Sequence, residues 1–182
     1  PENSKILDMG AFGECVATQI GFNTSLYLLD SYKNCKIDGI NISDSYLLNS
    51  RHKEMNMIKS DFFEYDFKQK YDLIINDLYF EPNKRFLIDN YLLKKIPDMI
   101  KPGGFFVMWC HRDLSICDYS IKMDEFELSK FMMDFWQIDE PNLSTSSMKK
   151  VLTKKYGHVW EVVNCYREIE RDFINWFVLK LK

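Results

Sequence analysis

With 182 residues, 46% of them hydrophobic and 15% aromatic, the chain carries enough apolar side chain to close one core of ordinary size, which excludes a disordered segment. A net charge of −3 argues against a protein that wraps long nucleic acid by charge alone, while leaving room for a local basic mouth on an acidic body. No apolar run approaches the roughly 20 residues that cross a bilayer, and the opening "PENSK" lacks the layout of a secretion signal, so no membrane partner is expected.

In chain order, apolar periodicity predicts strands at 5–9, 36–42, 55–60, 72–78, 104–110, 157–165 and 173–181, and helices at about 23–33, 44–53, 84–99 and 123–136. Strands alternating with helices read as βαβ units around a mainly parallel sheet. "YDLIINDLYF" and "GGFFVMWC" are nearly continuous apolar runs, expected of central strands covered on both faces. "NKRFLIDNYLLKKIPDMI" sets Phe86, Leu87, Tyr91, Leu92 and Ile96 on one helical stripe, and Pro102-Gly103-Gly104 supplies a turn before the next strand. Only "REIER" separates the last two strands, which predicts an antiparallel hairpin. With no internal repeat or linker, residues 1–182 read as a single domain. The abrupt entry into the first strand suits a domain excised from a larger polypeptide.

Five cysteines, at 15, 35, 110, 117 and 165, are scattered and odd in number, which suits reduced thiols in an intracellular, cytoplasmic setting. A zinc site at Cys110, His111 and Cys117 needs more ligands than that segment offers, so no metal is expected.

Five stretches carry the functional signal. "ILDMGAFGE" is a strand, an acid and a glycine-containing loop; "KIDGINISDSYLLNSR" is a strand ending in a polar turn; "MNMIKSDFFEYDF" ends a third strand at Asp61; "YDLIINDLYF" is a fourth; "LLKKIPDMIKPGGFFVMW" joins a helix, a Lys-Pro-Gly-Gly turn and a fifth strand. In this order and spacing they resemble the Rossmann-like class I S-adenosylmethionine-dependent methyltransferases, across residues 5–110. The resemblance implies an α/β fold with a mainly parallel seven-stranded sheet, an antiparallel C-terminal strand and helices on both faces. A dinucleotide-binding Rossmann protein is the rival, but it asks for G-x-G-x-x-G and a parallel sixth strand, whereas Phe12 stands where a middle glycine belongs.

The cofactor implied is S-adenosylmethionine. Asp8, Gly10 and Gly13 fall in the motif that flanks its methionine part, and glycine lets the backbone approach a ligand closely. Gly13 also reads as a plain turn glycine. Asn41 matches the position where the family offers an acid to the ribose hydroxyls; Asp30 is the other candidate, otherwise a surface residue of the first helix. Asp61 and Phe62 read as an adenine pocket, or as a strand-end acid beside a core ring, and Asn76 joins the cofactor residues at the end of the fourth strand.

The acceptor is less constrained. Asp77 matches one member of the Lys-Asp-Lys-Glu set of RNA ribose methyltransferases, but the fifth-strand lysine falls near Trp109, the first lysine has no counterpart, and Glu168 or Glu170 matches the last only loosely. Asn76-Asp77-Leu78-Tyr79 matches the Asn/Asp-Pro-Pro-Tyr/Phe motif of amino methyltransferases only at its ends. Guanine N7 has no proton to lose and needs no base. Asp77 and Tyr79 then position substrate, and Phe80, Trp109 and His111 stack on a methylated purine. Arg112, Lys149 and Lys150, with Lys154 and Lys155, meet a triphosphate. Trp109 also reads as core, His111 as a strand-end residue and "KKVLTKK" as a solvated face. The resulting expectation is an RNA-cap guanine-N7 methyltransferase acting on GpppN ends. A Lys-, Asn-, Ile- and Met-rich composition suits a viral polyprotein of nidovirus type, hence host cytoplasm. A ribose or small-molecule methyltransferase and a non-catalytic cofactor-binding module are the alternatives.

Overall fold

The computed structural model describes residues 3–12, 24–48, 50–76, 91–111, 145–167 and 174–182. Among these, seven strands form one sheet: β1 (Lys5–Met9), β2 (Lys36–Asn41), β3 (Asn56–Lys59), β4 (Tyr71–Asn76), β5 (Ile100–His111), β6 (Trp160–Arg167) and β7 (Ile174–Leu181), in the order β3-β2-β1-β4-β5-β7-β6. The helices are α1 (Thr24–Ser31), α2 (Ile96–Met99, entered through a π-helical turn Tyr91–Lys95) and α3 (Thr145–Tyr156). The chain divides into two compact units, Pro1–Tyr79 with Asp98–Phe106, and Phe80–Pro97 with Val107–Lys182, so that β5 runs through both.

In the first unit β1 lies between two parallel partners, with Ile6 beside Ile37 of β2 and Leu73 of β4. Ile6, Leu7, Asp8 and Met9 are all buried. Successive strand residues point to opposite faces, so this run requires cover on both, which explains its lack of polar alternation. Ile6, Ala11, Phe12, Leu28, Leu29, Ile37 and Met55 form one apolar cluster that seats α1 on the sheet. Each fully buried large side chain contributes about 1.5–3 kcal/mol.

Toward the amino ends of the strands a polar cluster replaces apolar packing. The buried carboxylate of Asp38 accepts from Tyr71 Oη at 2.7 Å, from Asn56 Nδ2 at 3.0 Å and from Gln69 Nε2, with Lys5 Nζ at 3.7 Å. A buried charge is tolerated because several donors surround it.

In the second unit Trp160 is fully buried at the start of β6 and donates Nε1–H to Leu92 O at 2.7 Å. The α3 residues Leu152 and Tyr156 are buried, and the helix closes through Gly157, whose N–H donates to Thr153 O at 3.0 Å. A Cβ at Gly157 would stand 2.3 Å from that oxygen, so only glycine fits. β6 and β7 pair antiparallel, as the short "REIER" link predicts, with a bulge between Val162 and Asn164.

Three local expectations are corrected. The helix expected over 44–53 is two 3₁₀ segments, Asp44–Leu48 and Ser50–Glu54. The stretch is rich in Ser, Asp and Asn, whose side chains compete for local backbone groups. Pro102-Gly103-Gly104 lies inside β5 instead of preceding it; Gly103 turns through φ 75°, and a Cβ on Gly104 would meet Lys101 O at 2.9 Å and Asp72 O at 3.1 Å. Helix α3 forms where the apolar periodicity predicts no element. The helix expected over 123–136 lies outside the described residues.

Candidate functional site

Strand order reverses between β1 and β4: β2 lies to one side of β1 and β4–β5 to the other. Beyond the carboxyl ends of strands at such a point the backbone diverges and leaves a crevice. The loop leaving β1 is held there residue by residue. Gly10 adopts φ 85°, a conformation natural to glycine, and its N–H donates to Ile40 O at 2.9 Å. Ala11 N–H donates to the same carbonyl at 3.2 Å. Phe12, at φ 51°, sends its ring into the core and its N–H to Ser25 Oγ at 2.9 Å. Ser25, in the first turn of α1, donates in turn to the buried carboxylate of Asp8 at 2.6 Å.

Asn41 closes β2 beside this loop. Its Nδ2 donates to Ala11 O at 2.8 Å, its Oδ1 accepts from Ser43 N–H at 2.9 Å, and its main-chain carbonyl accepts from Ser60 N–H at 3.1 Å. Ile42, next along, is 67% exposed, an apolar surface at the carboxyl end of β2 that no motif marks. Beneath the loop, β2 passes at Gly39, where a Cβ would stand 2.7 Å from Ala11 Cβ.

Asp61 follows β3 and caps its own turn: Oδ1 accepts from Phe63 N–H at 2.8 Å and its carbonyl from Tyr65 N–H at 3.0 Å. Phe62 is buried against Phe63 and Phe67, ring centroids 5.5 and 5.4 Å away, so its ring packs in an aromatic cluster. Asn76 is fully buried at the end of β4, paired in register with Met9. Asp30 is exposed on α1 and forms an ion pair with Arg51 at 2.9 Å, as a surface residue of the first helix.

The structure thus gathers Asp8, Gly10, Asn41, Asp61 and Asn76 at the carboxyl ends of β1–β4 and adds Ser25 and Ile42. Ser25 carries no motif; its part emerges only from the return of α1 onto β1. Gly13, Asp77, Tyr79, Phe80 and Arg112 lie outside the described residues, as do the side chains of Trp109 and His111, whose backbones end β5. Lys149 and Lys150 are exposed on α3, with Lys154 one turn on. Among the described residues no group of three or more His, Cys, Asp or Glu is placed to hold a metal ion, and no helix is long and apolar enough to cross a membrane.

No family model and no curated protein matches the chain by sequence. Solved structures match it throughout. The 16S rRNA methyltransferase KamB superimposes with a TM-score of 0.64 at 9% identity, over 100% of this chain and 89% of that one. The plantazolicin methyltransferase BpumL, in complex with a triazolic desmethylPZN analogue and S-adenosylhomocysteine, gives 0.59 at 14% identity, over 98% of this chain and 77% of that one. The N-methyltransferase NodS from Bradyrhizobium japonicum, also with S-adenosylhomocysteine, gives 0.55 at 13% identity, over 99% and 79%. At such identities the likeness is one of architecture, and it agrees with the strand order and the antiparallel final pair. The chain has the fold of the class I S-adenosylmethionine-dependent methyltransferases.

Proposed function

We propose that this chain is an S-adenosylmethionine-dependent methyltransferase acting on RNA, with guanine N7 of a capped 5′ end as acceptor. The observation that carries the methyltransferase reading is the loop Gly10–Phe12, fixed at the reversal of strand order beside the buried carboxylate of Asp8. The residues present fit the cofactor. Gly10 offers backbone without a Cβ, Asp8 places negative charge near a cationic ligand, Ile42 offers a flat apolar contact to a base, and Asp61 stands where an exocyclic amine has an acceptor.

When bound, the cofactor supplies a methyl group already electrophilic on its sulfonium. The remaining task of the chain is to hold the acceptor lone pair in line, and orientation alone removes several kcal/mol of a barrier. An N7 acceptor loses no proton, which suits a chain whose sequence lacks the ribose-methylating set of lysines and acids. Helix α3, twelve residues "TSSMKKVLTKKY" with four lysines and no acid, is a basic element of the kind that RNA phosphates pair with. The Lys-, Asn- and Ile-rich composition fits a viral polyprotein source. A small-molecule acceptor is the second reading, favoured by the likeness to the plantazolicin methyltransferase BpumL, whose structure holds a triazolic desmethylPZN analogue.

The test is incubation with methyl-labelled S-adenosylmethionine and capped or uncapped RNA, followed by digestion and mass spectrometry. Labelled 7-methylguanosine from capped RNA alone is expected. Label on ribose, or in metabolites with none in RNA, overturns the acceptor assignment.

A further inference from the structure

We propose that Asn41 is a latch for the glycine loop and that residue 41 consequently brings no charge to the ribose end of the crevice, so that cofactor recognition there tolerates loss of a ribose hydroxyl. The cofactor half of this rests on the methyltransferase reading; the latch does not.

The two bonds of the Asn41 side chain are of opposite kind. Ala11 O is a carbonyl and only accepts, so the atom 2.8 Å from it must donate; Ser43 N–H only donates, so the atom 2.9 Å from it must accept. These partners fix the orientation of the amide. They also select an amide over a carboxylate: aspartate satisfies Ser43 but turns a second oxygen toward Ala11 O. The position that in the resembling family offers an acid to the ribose diol here has its donor committed to the loop. The bond is buried, with Asn41 8% exposed. It completes the set that seats the loop on β2, alongside Gly10 N–H and Ala11 N–H on Ile40 O and the passage of Ala11 over Gly39. One acceptor lone pair on Oδ1 remains for a hydroxyl, and a neutral acceptor discriminates less than a charged one.

The consequence inverts the usual expectation for Asn41→Asp. Were residue 41 simply a ribose acceptor, restoring the acid would tighten cofactor binding. As a latch, the variant sets carboxylate against carbonyl and loosens the loop. Protonation restores a donor, so the defect reverses on acidification.

The experiment combines thermal melting at pH 8 and pH 5 with calorimetric titration of S-adenosylhomocysteine and its 2′-deoxyribose analogue, on the wild type and Asn41→Asp. The variant is expected to melt lower than wild type at pH 8, to recover much of the gap at pH 5, and to bind S-adenosylhomocysteine about tenfold more weakly at pH 8. Wild type is expected to bind the deoxy analogue within about fivefold of the parent compound. Tighter binding by Asn41→Asp, or wild-type discrimination against the analogue well beyond tenfold, overturns the neutral subsite. Equal melting of both proteins at pH 8 overturns the latch. If neither protein binds S-adenosylhomocysteine, the methyltransferase reading and the subsite fall together, while the melting curves still decide the latch.

Discussion

Ser25 Oγ donates to Asp8 Oδ2 at 2.6 Å, joining the second residue of α1 to the fourth of β1 across 17 positions of sequence. Because the same oxygen accepts Phe12 N–H at 2.9 Å, one hydroxyl fixes strand, loop and helix together. Ser25→Ala leaves a buried carboxylate and a buried amide each short of this partner. A loss of about 1–3 kcal/mol in unfolding free energy is expected, read from urea titrations. S-adenosylhomocysteine affinity should fall with it, because that oxygen holds the backbone of the loop at Phe12.

Gly39→Ala tests the other side of the loop. The new methyl carbon would stand 2.7 Å from Ala11 Cβ and 2.7 Å from Met57 Sδ. The methionine end can swing aside, whereas Ala11 is held by its N–H and its carbonyl. Overpacking of this kind costs about 1–3 kcal/mol. Because the displaced atom belongs to the loop, ligand affinity should drop along with melting temperature; a lower melting temperature with unchanged affinity would show that the loop does not contact the ligand.

Tyr71 gives a pH signature. Burial first, and the neighbouring Asp38 carboxylate second, push its phenol well above the ordinary tyrosine range. The folded chain therefore retains a proton that the unfolded chain releases above about pH 10, so this contribution is complete below pH 10 and is lost as pH rises further. Tyr71→Phe removes the bond to Asp38 and should be less stable at pH 8 by about 1–2 kcal/mol. The gap to wild type should then narrow between pH 10 and 11. A gap that stays constant across that window contradicts the raised phenol.

On α3, the double reversal Lys149→Glu and Lys150→Glu should leave folding intact, since both side chains are exposed. If the helix meets RNA phosphates, binding of capped RNA weakens by about tenfold or more and the slope of log affinity against log salt shrinks by roughly two. Methylation that is unchanged at every salt concentration assigns those lysines to solvent.

The legibility of the chain follows physical lines. Strand β1 is readable because burial on both faces writes itself as an unbroken apolar run; β5 is equally apolar yet buries Gly104, Phe106 and Met108 on one face and leaves Phe105 39% exposed on the other, against the expected cover on both. The hairpin is readable because so short a link admits little else. Helix α3 is concealed by its own lysines: Met148, Val151 and Leu152 keep helical spacing, but four cations among them read as a solvated face of helix or loop. The 44–53 stretch misleads in the opposite sense, since its leucines and tyrosine suggest one helix where the chain forms two short 3₁₀ segments. At the site, motif spacing singles out Asp8, Gly10 and Asn41 but not the groups they bond to. Ser25 and Ala11 O are tertiary neighbours, 17 and 30 residues away, and no local pattern announces them.

The outermost strands have a consequence for how copies of this molecule behave when crowded. β3 is only four residues long and presents the charged Lys59, paired with Asp44. On the opposite rim, β6 carries its irregularity at Val163, which interrupts the even rhythm of amide and carbonyl along the ribbon. An incoming chain seeking to extend the sheet finds too short a template at one end and a broken one at the other, so lateral growth into fibrils is discouraged by the backbone itself.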